Sequence, residues 1–192
     1  MPIVKYASVL DEVMRMPVFT AKDLVIRGVP RSYVRRLANL LKEKGRIKIV
    51  ERGKYAVTED PLLVAPFLTF PSYVSMFSAL LIRGAISQMP MGVQVVTTRK
   101  RKNKVATYND TKIEFFRIKR RLFFGFEYVW YEGFQVPVAK PEKALIDIYY
   151  FGYSVRGLEI DCSKFNSRTL KEYLEVVGKK SVSRRVLEVM EC

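Results

Sequence analysis

Near the start of the chain, Val4, Ala7, Val9, Leu10, Val13 and Met14 share one broad apolar face, which predicts a helix over 3–15 ended by Pro17. Thr20, with Asp23 three residues on, has the spacing of a capped start for a short helix, "AKDLVIR", that stops at Gly28. In "RGVPRSYVRRLANLLKEKG", residues 27–45, Val34, Leu37, Ala38 and Leu41 recur at three- and four-residue steps. Pro30 suits the start of that third helix and Gly45 its stop. After Gly45 the period falls to two. In "RIKIVERGKYAV", Ile47 and Ile49 alternate with Arg46, Lys48 and Val50, and "ERGK" reads as the turn of a hairpin. Helix, helix, short glycine-containing turn, helix and hairpin is the order of a winged helix-turn-helix.

"TEDP" at 58–61 closes this unit. Residues 62–69 and 75–83 read as helices, the second capped by Ser75 and ended by Gly84. "VQVVTT" at 93–98 is strand-like, and "RKRKNK" at 99–104 has no apolar residue and reads as a loop or hairpin end. "TKIEFFRIKR", "RLFFGFEYVWYE" and "FQVPVA" are aromatic and β-branched, punctuated by Gly125 and "EGF". Pro141 opens a helix that ends at Gly152, with Ala144, Leu145, Ile148 and Tyr149 on its apolar face. Ser167 and Ser183 read as caps of two last helices with Gly178 between them. There is no internal repeat and no low-complexity linker. The expected architecture is α+β: a winged helix-turn-helix at 1–58, then an α+β domain at 59–192 with a small, mainly antiparallel sheet flanked by helices.

The uncharged run "LLVAPFLTFPSYVSMFSALLI" at 62–82 is long enough to span a bilayer. Pro66 and Pro71 interrupt it and Ser72, Ser75 and Ser78 follow, so it reads as two buried helices joined by a turn. Charges inside the first apolar run argue against a secretory leader, and the expectation is a cytoplasmic protein without membrane contact.

Of 192 residues, 49% are apolar, enough for a proper core, and the net charge is +15. So large a charge concerns partners, with nucleic acid first and an anionic membrane surface second. The charge lies in blocks: residues 1–58 carry 13 basic and 5 acidic side chains, residues 99–121 carry 10 and 2, and residues 122–162 carry 3 and 6. There is no histidine, which removes the commonest general base and metal ligand. Cys162 and Cys192 have no CxxC spacing and fit neither a zinc site nor a disulfide framework, as suits a reducing compartment. Few Gln and Asn among abundant Lys, Arg and Glu lean toward a thermophilic source.

Residues 28–42 contain no acid, whereas a solvated helix face usually mixes signs. Arginine and asparagine can pair with guanine and adenine edges, and lysine and arginine neutralise phosphates. Arg31, Ser32, Arg35 and Arg36 are expected near bases, because the N-terminal part of such a helix enters the groove. Tyr33, Asn39, Lys42, Arg52 and Lys54 are expected on the DNA backbone, with Arg46 and Lys48 of the hairpin beside them. On this placement Arg35→Ala weakens specific binding more than nonspecific binding, and Lys54→Ala weakens both alike. The run Arg99, Lys100, Arg101, Lys102 and Lys104 is either a solvated loop or, with Arg117, Lys119, Arg120 and Arg121, a second basic surface. No phosphate loop, GxGxxG or GxSxG is present, so neither a catalytic residue nor a cofactor nor a metal is expected. Asp110-Thr111-Lys112 has one spacing of a metal nuclease, but a hairpin turn accounts for it. Glu142 sits in a helix first turn, where a carboxylate is favourable, and Asp147 is either a paired structural acid or a partner contact.

Four stretches together resemble the AbiEi-type antitoxins and transcriptional regulators of abortive-infection (viral defence) systems: "FTAKDLVIRGVPRSYVRRLANLLKEKGRIKIVERGKYAV", "PSYVSMFSALLIRG", "QMPMGVQVVTTRKRK" and "PVAKPEKALIDIYYFG". The resemblance runs through roughly residues 8–190. It is most specific at Pro71-Ser72-Tyr73-Val74-Ser75 with Ser78-Ala79-Leu80, and at Pro141 to Asp147. It implies a type IV antitoxin without catalysis of its own. Its winged helix would bind duplex DNA at its own operon's promoter and repress it, and its C-terminal domain would counteract a nucleotidyltransferase-like toxin. Helix-turn-helix proteins commonly match palindromic sites with two-fold symmetry, so a homodimer on an inverted repeat is expected. Where relatives of that family often carry histidine before the glycine of the "SAL…G" segment, Arg83 stands here. Two other readings remain open: a nuclease-like enzyme using the second domain, and a toxin-masking protein with only generic DNA affinity.

Overall fold

The structure is a computed structural model that describes residues 5–190, so Val4 and Cys192 lie outside the described residues. The first unit runs α1 (Ala7–Val13), β1 (Val18–Thr20), α2 (Ala21–Ile26), α3 (Arg31–Glu43), β2 (Lys48–Glu51) and β3 (Lys54–Ala56). Thr20 forms the complete capping box its spacing predicts. The Thr20 N–H donates to Asp23 Oδ2 at 2.7 Å, and the Asp23 N–H donates to Thr20 Oγ1 at 3.2 Å. Val34, Leu37, Ala38 and Leu41 of α3 are all buried, against Leu10, Val13, Phe19, Leu24, Val29, Ile47 and Tyr55. The wing is part of a three-stranded antiparallel sheet in the order β1-β3-β2. Its outer strand, β1, was not expected, because three residues are too few to display an alternation.

The second unit runs through α4 (Pro61–Val64), β4 (Ser72–Val74), α5 (Met76–Ile82), β5 (Gly92–Thr97), β6 (Val105–Tyr108), β7 (Thr111–Arg117), β8 (Phe126–Tyr131), β9 (Phe134–Ala139), α6 (Pro141–Tyr150), α7 (Ser167–Val177) and α8 (Lys180–Val189). The α+β class is as expected, but the sheet is larger and mixed. Its six strands lie in the order β6-β7-β5-β4-β9-β8, with β5–β7 and β4–β9 parallel and the other pairs antiparallel. Central β5 is buried at every position, which explains its unalternating "GVQVVT".

Several local expectations are corrected. Ser72–Val74 is a strand, not the turn between two helices. Residues 61–67 form one α-turn followed by a 3-10 turn, Ala65–Phe67, because Pro66 interrupts the helix. The strand expected over "TKIEFFRIKR" stops at Arg117, and Arg120–Leu122 is a 3-10 turn. Asn166 rather than Ser167 caps α7, accepting from the Thr169 N–H, while Ser183 lies inside α8. Ser75 sits at the start of α5 without capping it. The reading of the two cysteines falls partly on Cys192, which lies outside the described residues. No described helix is long and apolar enough to cross a membrane.

The wing is docked on the second unit along its length. At one end Lys48 pairs with Glu59 at 2.8 Å and donates to Asn109 Oδ1 at 3.0 Å, and the Tyr108 hydroxyl donates to the Thr58 carbonyl at 2.6 Å. At the other, Arg101 stacks on Phe115 and binds Glu51, Thr69 and the Leu68 carbonyl. Val18 and Ala56 complete the joint by packing into the second unit's core.

Burial, aided by Glu59, pushes the Tyr108 phenol from 10.0 up to about 12. The folded state therefore keeps a proton that the unfolded chain releases. The stability this supplies is whole below pH 10 and is lost as pH rises toward 12. Denaturation midpoints of wild type and Tyr108→Phe, followed against pH, test this. The wild type should lead by about 1 kcal/mol at neutral pH, and the lead should vanish over that alkaline window. A difference independent of pH would show that this proton does not matter to the joint.

Candidate nucleic-acid interface

Amphipathicity decides what α3 presents. Its buried stripe turns Arg31, Ser32, Arg35, Arg36, Asn39 and Lys42 outward, and all six are exposed. An open groove separates α3 from the wing. Arg31, Arg35 and Asn39 line one wall, Ile49, Arg52 and Gly53 the other, and Lys22 and Val25 of α2 close the end. Lys22 was not anticipated, because one lysine in a short helix carries no pattern, and only the fold places it beside Arg31. Gly53 has φ +75° in the turn between β2 and β3, which lets Arg52 stand at the wing tip.

Ion pairing sorts the cations. Arg31, Arg35, Arg36, Arg52 and Lys22 make no ion pair with any described residue. They are free to meet phosphate or base edges. Arg27 is different: it pairs with Glu12 at 2.9 Å and donates to the Asp23 carbonyl at 3.1 Å, bracing α1 against α2. Three residues expected at the DNA backbone are placed otherwise. Lys54 pairs with Glu51 at 2.7 Å and donates to the Leu68 carbonyl, so it belongs to the joint. Lys48 is held by Glu59 and Asn109. Tyr33 is half-buried, its ring 5.7 Å from that of Tyr6 and its hydroxyl buried without a partner among the described residues. Lys42 and Arg46 are exposed at the far end of α3, where they border a separate cleft with Lys48 and Asn109.

The second basic block also comes together, except for Arg101. Because β5 and β7 are parallel neighbours, with Thr97 opposite Arg117, the segments that leave them emerge at one end of the sheet. Lys100, Lys102, Lys104, Arg117, Lys119 and Arg120 are exposed there, and among the described residues the Arg99 and Arg121 side chains each donate once, to the Phe70 and Val176 carbonyls. Arg101 ties this end to the wing through Glu51. Two hydrogen-bonded cations hold the Glu51 carboxyl below its usual range, although burial alone would raise it.

Two stretches that carry the family resemblance meet in the core. Asp147 is fully buried, and its carboxylate accepts from the Tyr73 hydroxyl at 3.0 Å, from the Ser75 hydroxyl at 2.8 Å and from the equally buried Lys143. Burial, then the Asp147 charge and hydrogen bond, push the Tyr73 phenol well above its ordinary value. Of the two roles open to Asp147, this is the paired structural acid. Glu142, also buried, accepts the Asn166 N–H at 2.6 Å and so locates the start of α7. Arg83 takes a structural part as well: it donates to the Ala139 and Val138 carbonyls at 3.1 Å and to Glu127 at 2.9 Å. Asp110 has φ +59° in the turn between β6 and β7, and Lys112 pairs with Glu114 at 2.7 Å. No group of three or more metal-ligating side chains occurs among the described residues.

A solved structure with a similar arrangement is known. It is the Rv2827c protein of Mycobacterium tuberculosis, 16% identical, with a TM-score of 0.59 over 97% of this chain and 76% of that one. At that identity Rv2827c speaks for the fold: a winged-helix unit followed by a mixed sheet with helices. No family model matches the chain, and no curated protein does.

Proposed function

We propose that this protein is a sequence-specific, DNA-binding transcriptional regulator of the AbiEi antitoxin type, without catalysis of its own. In this reading α3 enters the major groove with Arg31, Ser32, Arg35 and Arg36 toward base edges. Lys22, Asn39 and Arg52 flank it on the sugar-phosphate backbone. The observation that carries the reading is the convergence of unpaired cations on the groove between α3 and the wing, while Lys48 and Lys54, elsewhere on the wing, are held in ion pairs. The basic end of the sheet adjoins the wing through Arg101 and gives flanking duplex a second run of phosphate contacts. Two copies act on an inverted repeat, as the two-fold symmetry of helix-turn-helix sites favours, and the second unit counteracts a nucleotidyltransferase-like toxin, as the motif resemblance implies.

The test is a salt series of binding to the DNA upstream of the protein's own reading frame, with scrambled duplex as control. With about six to ten phosphates contacted, affinity should fall by ~10³–10⁵ between 50 and 200 mM salt on both duplexes. A strong preference for the upstream sequence supports the regulator. Equal affinity for both would refute sequence-specific repression and favour a toxin-masking role with generic DNA affinity.

A further inference from the structure

The six-stranded sheet ends at β8, and nothing among the described residues pairs with its outer side. The bond from the Lys140 N–H to the Gly125 carbonyl sets the phase of the β8–β9 ladder. Glu127, Val129 and Tyr131 therefore exchange bonds with β9, and the backbone N–H and C=O groups of Phe126, Tyr128 and Trp130 point outward. Tyr128 and Trp130 stand on this edge at 57% and 73% exposure, and Trp130 is the chain's only tryptophan. Monomeric proteins guard such an edge with lysine, proline, a bulge or a very short strand. Here six residues pair in continuous register, with none of those guards on β8.

We propose that this edge is where two copies of the chain join, β8 against β8 in antiparallel pairing about a two-fold axis, making one sheet of two halves. Charge places a second copy here rather than elsewhere on the molecule. Copies carrying +15 each repel over most of their surface, but β8 itself has no cation, so two β8 edges meet without cation facing cation. Glu127 is already neutralised by Arg83 and Lys140. Centred on Val129, the pairing sets Tyr128 opposite the partner's Trp130 and Trp130 opposite the partner's Tyr128. Glu127 then faces the partner's Tyr131, and no like charges meet. An antiparallel edge is self-complementary, as an isologous contact requires, and aromatic cross-strand pairs are favourable on such a sheet. The proposal goes beyond the DNA reading and stands apart from it, since α3 takes no part in the contact.

Sedimentation of the full chain without DNA, from low to high micromolar concentration, tests it together with tryptophan emission. A dimer should form as Trp130 emission shifts to the blue, because that side chain leaves water. Tyr128→Lys should raise the dimer's dissociation constant by about tenfold or more and should hold the emission at its exposed position. Wild type alone already decides the matter should that variant misfold. A monomer throughout, a dimer whose emission does not move, or a dimer indifferent to Tyr128→Lys would each overturn the proposal. Binding of the same variant to a DNA half-site should be unchanged, which separates this test from that of the DNA reading.

Discussion

Asp147→Ala should destabilise the protein by about 3–5 kcal/mol, lowering the thermal midpoint by roughly 10 °C for a chain of this size. Asp147 and Lys143 are both fully buried, so removing the carboxylate strands an ammonium where water cannot reach it. It also takes the acceptor from the Tyr73 and Ser75 hydroxyls. The rings of Tyr73 and Phe124, 5.6 and 5.4 Å from the ammonium, soften that loss without replacing the charge. The second expectation follows from the sign of the effect. Adding Lys143→Met to Asp147→Ala should recover part of the stability, because no uncompensated charge then remains. Denaturant midpoints for the four members of the cycle measure this. Simple additivity would mean that the two side chains are not coupled as their geometry requires.

This cluster also explains what in the sequence was legible. Tyr73, Ser75, Lys143 and Asp147 stand out as residue types in apolar surroundings, yet their partnership spans about seventy positions, 74 from Tyr73 to Asp147. No local pattern joins a three-residue strand to a helix that far on. The third helix was legible because its apolar stripe has a period of its own, and every predicted core position in it is buried. β4 was not, because a short strand buried on both faces shows no alternation and here sits among prolines that suggest a turn. The cations show the same limit. Sequence counts charge but cannot pair it. Lys54 and Arg52 look alike on the wing, and only the arrival of Leu68 and Arg101 beside Glu51 draws Lys54 into the joint and leaves Arg52 outside.

That sorting changes what substitution in the DNA-facing residues should do. Arg35 lines the groove and makes no ion pair with any described residue, so Arg35→Ala should leave the thermal midpoint within about 1 °C of wild type, as an exposed surface change does. If Arg35 makes a bidentate base contact, its loss should cost about 1–3 kcal/mol of discrimination, a factor of ~5–150 in preference for operator over scrambled DNA. Arg52→Ala should weaken both duplexes alike and reduce the salt slope by about 0.9, the signature of one lost phosphate contact. Lys54→Ala, first expected to behave the same way, should instead loosen the docking of the wing, lowering stability with little change in salt slope, because its ammonium is engaged by Glu51 and the Leu68 carbonyl. Binding isotherms at several salt concentrations beside thermal melts separate the three. If Arg35→Ala left operator preference intact while Arg52→Ala removed it, the duplex would lie across the wing rather than along α3, and the orientation of the recognition helix would have to be reversed.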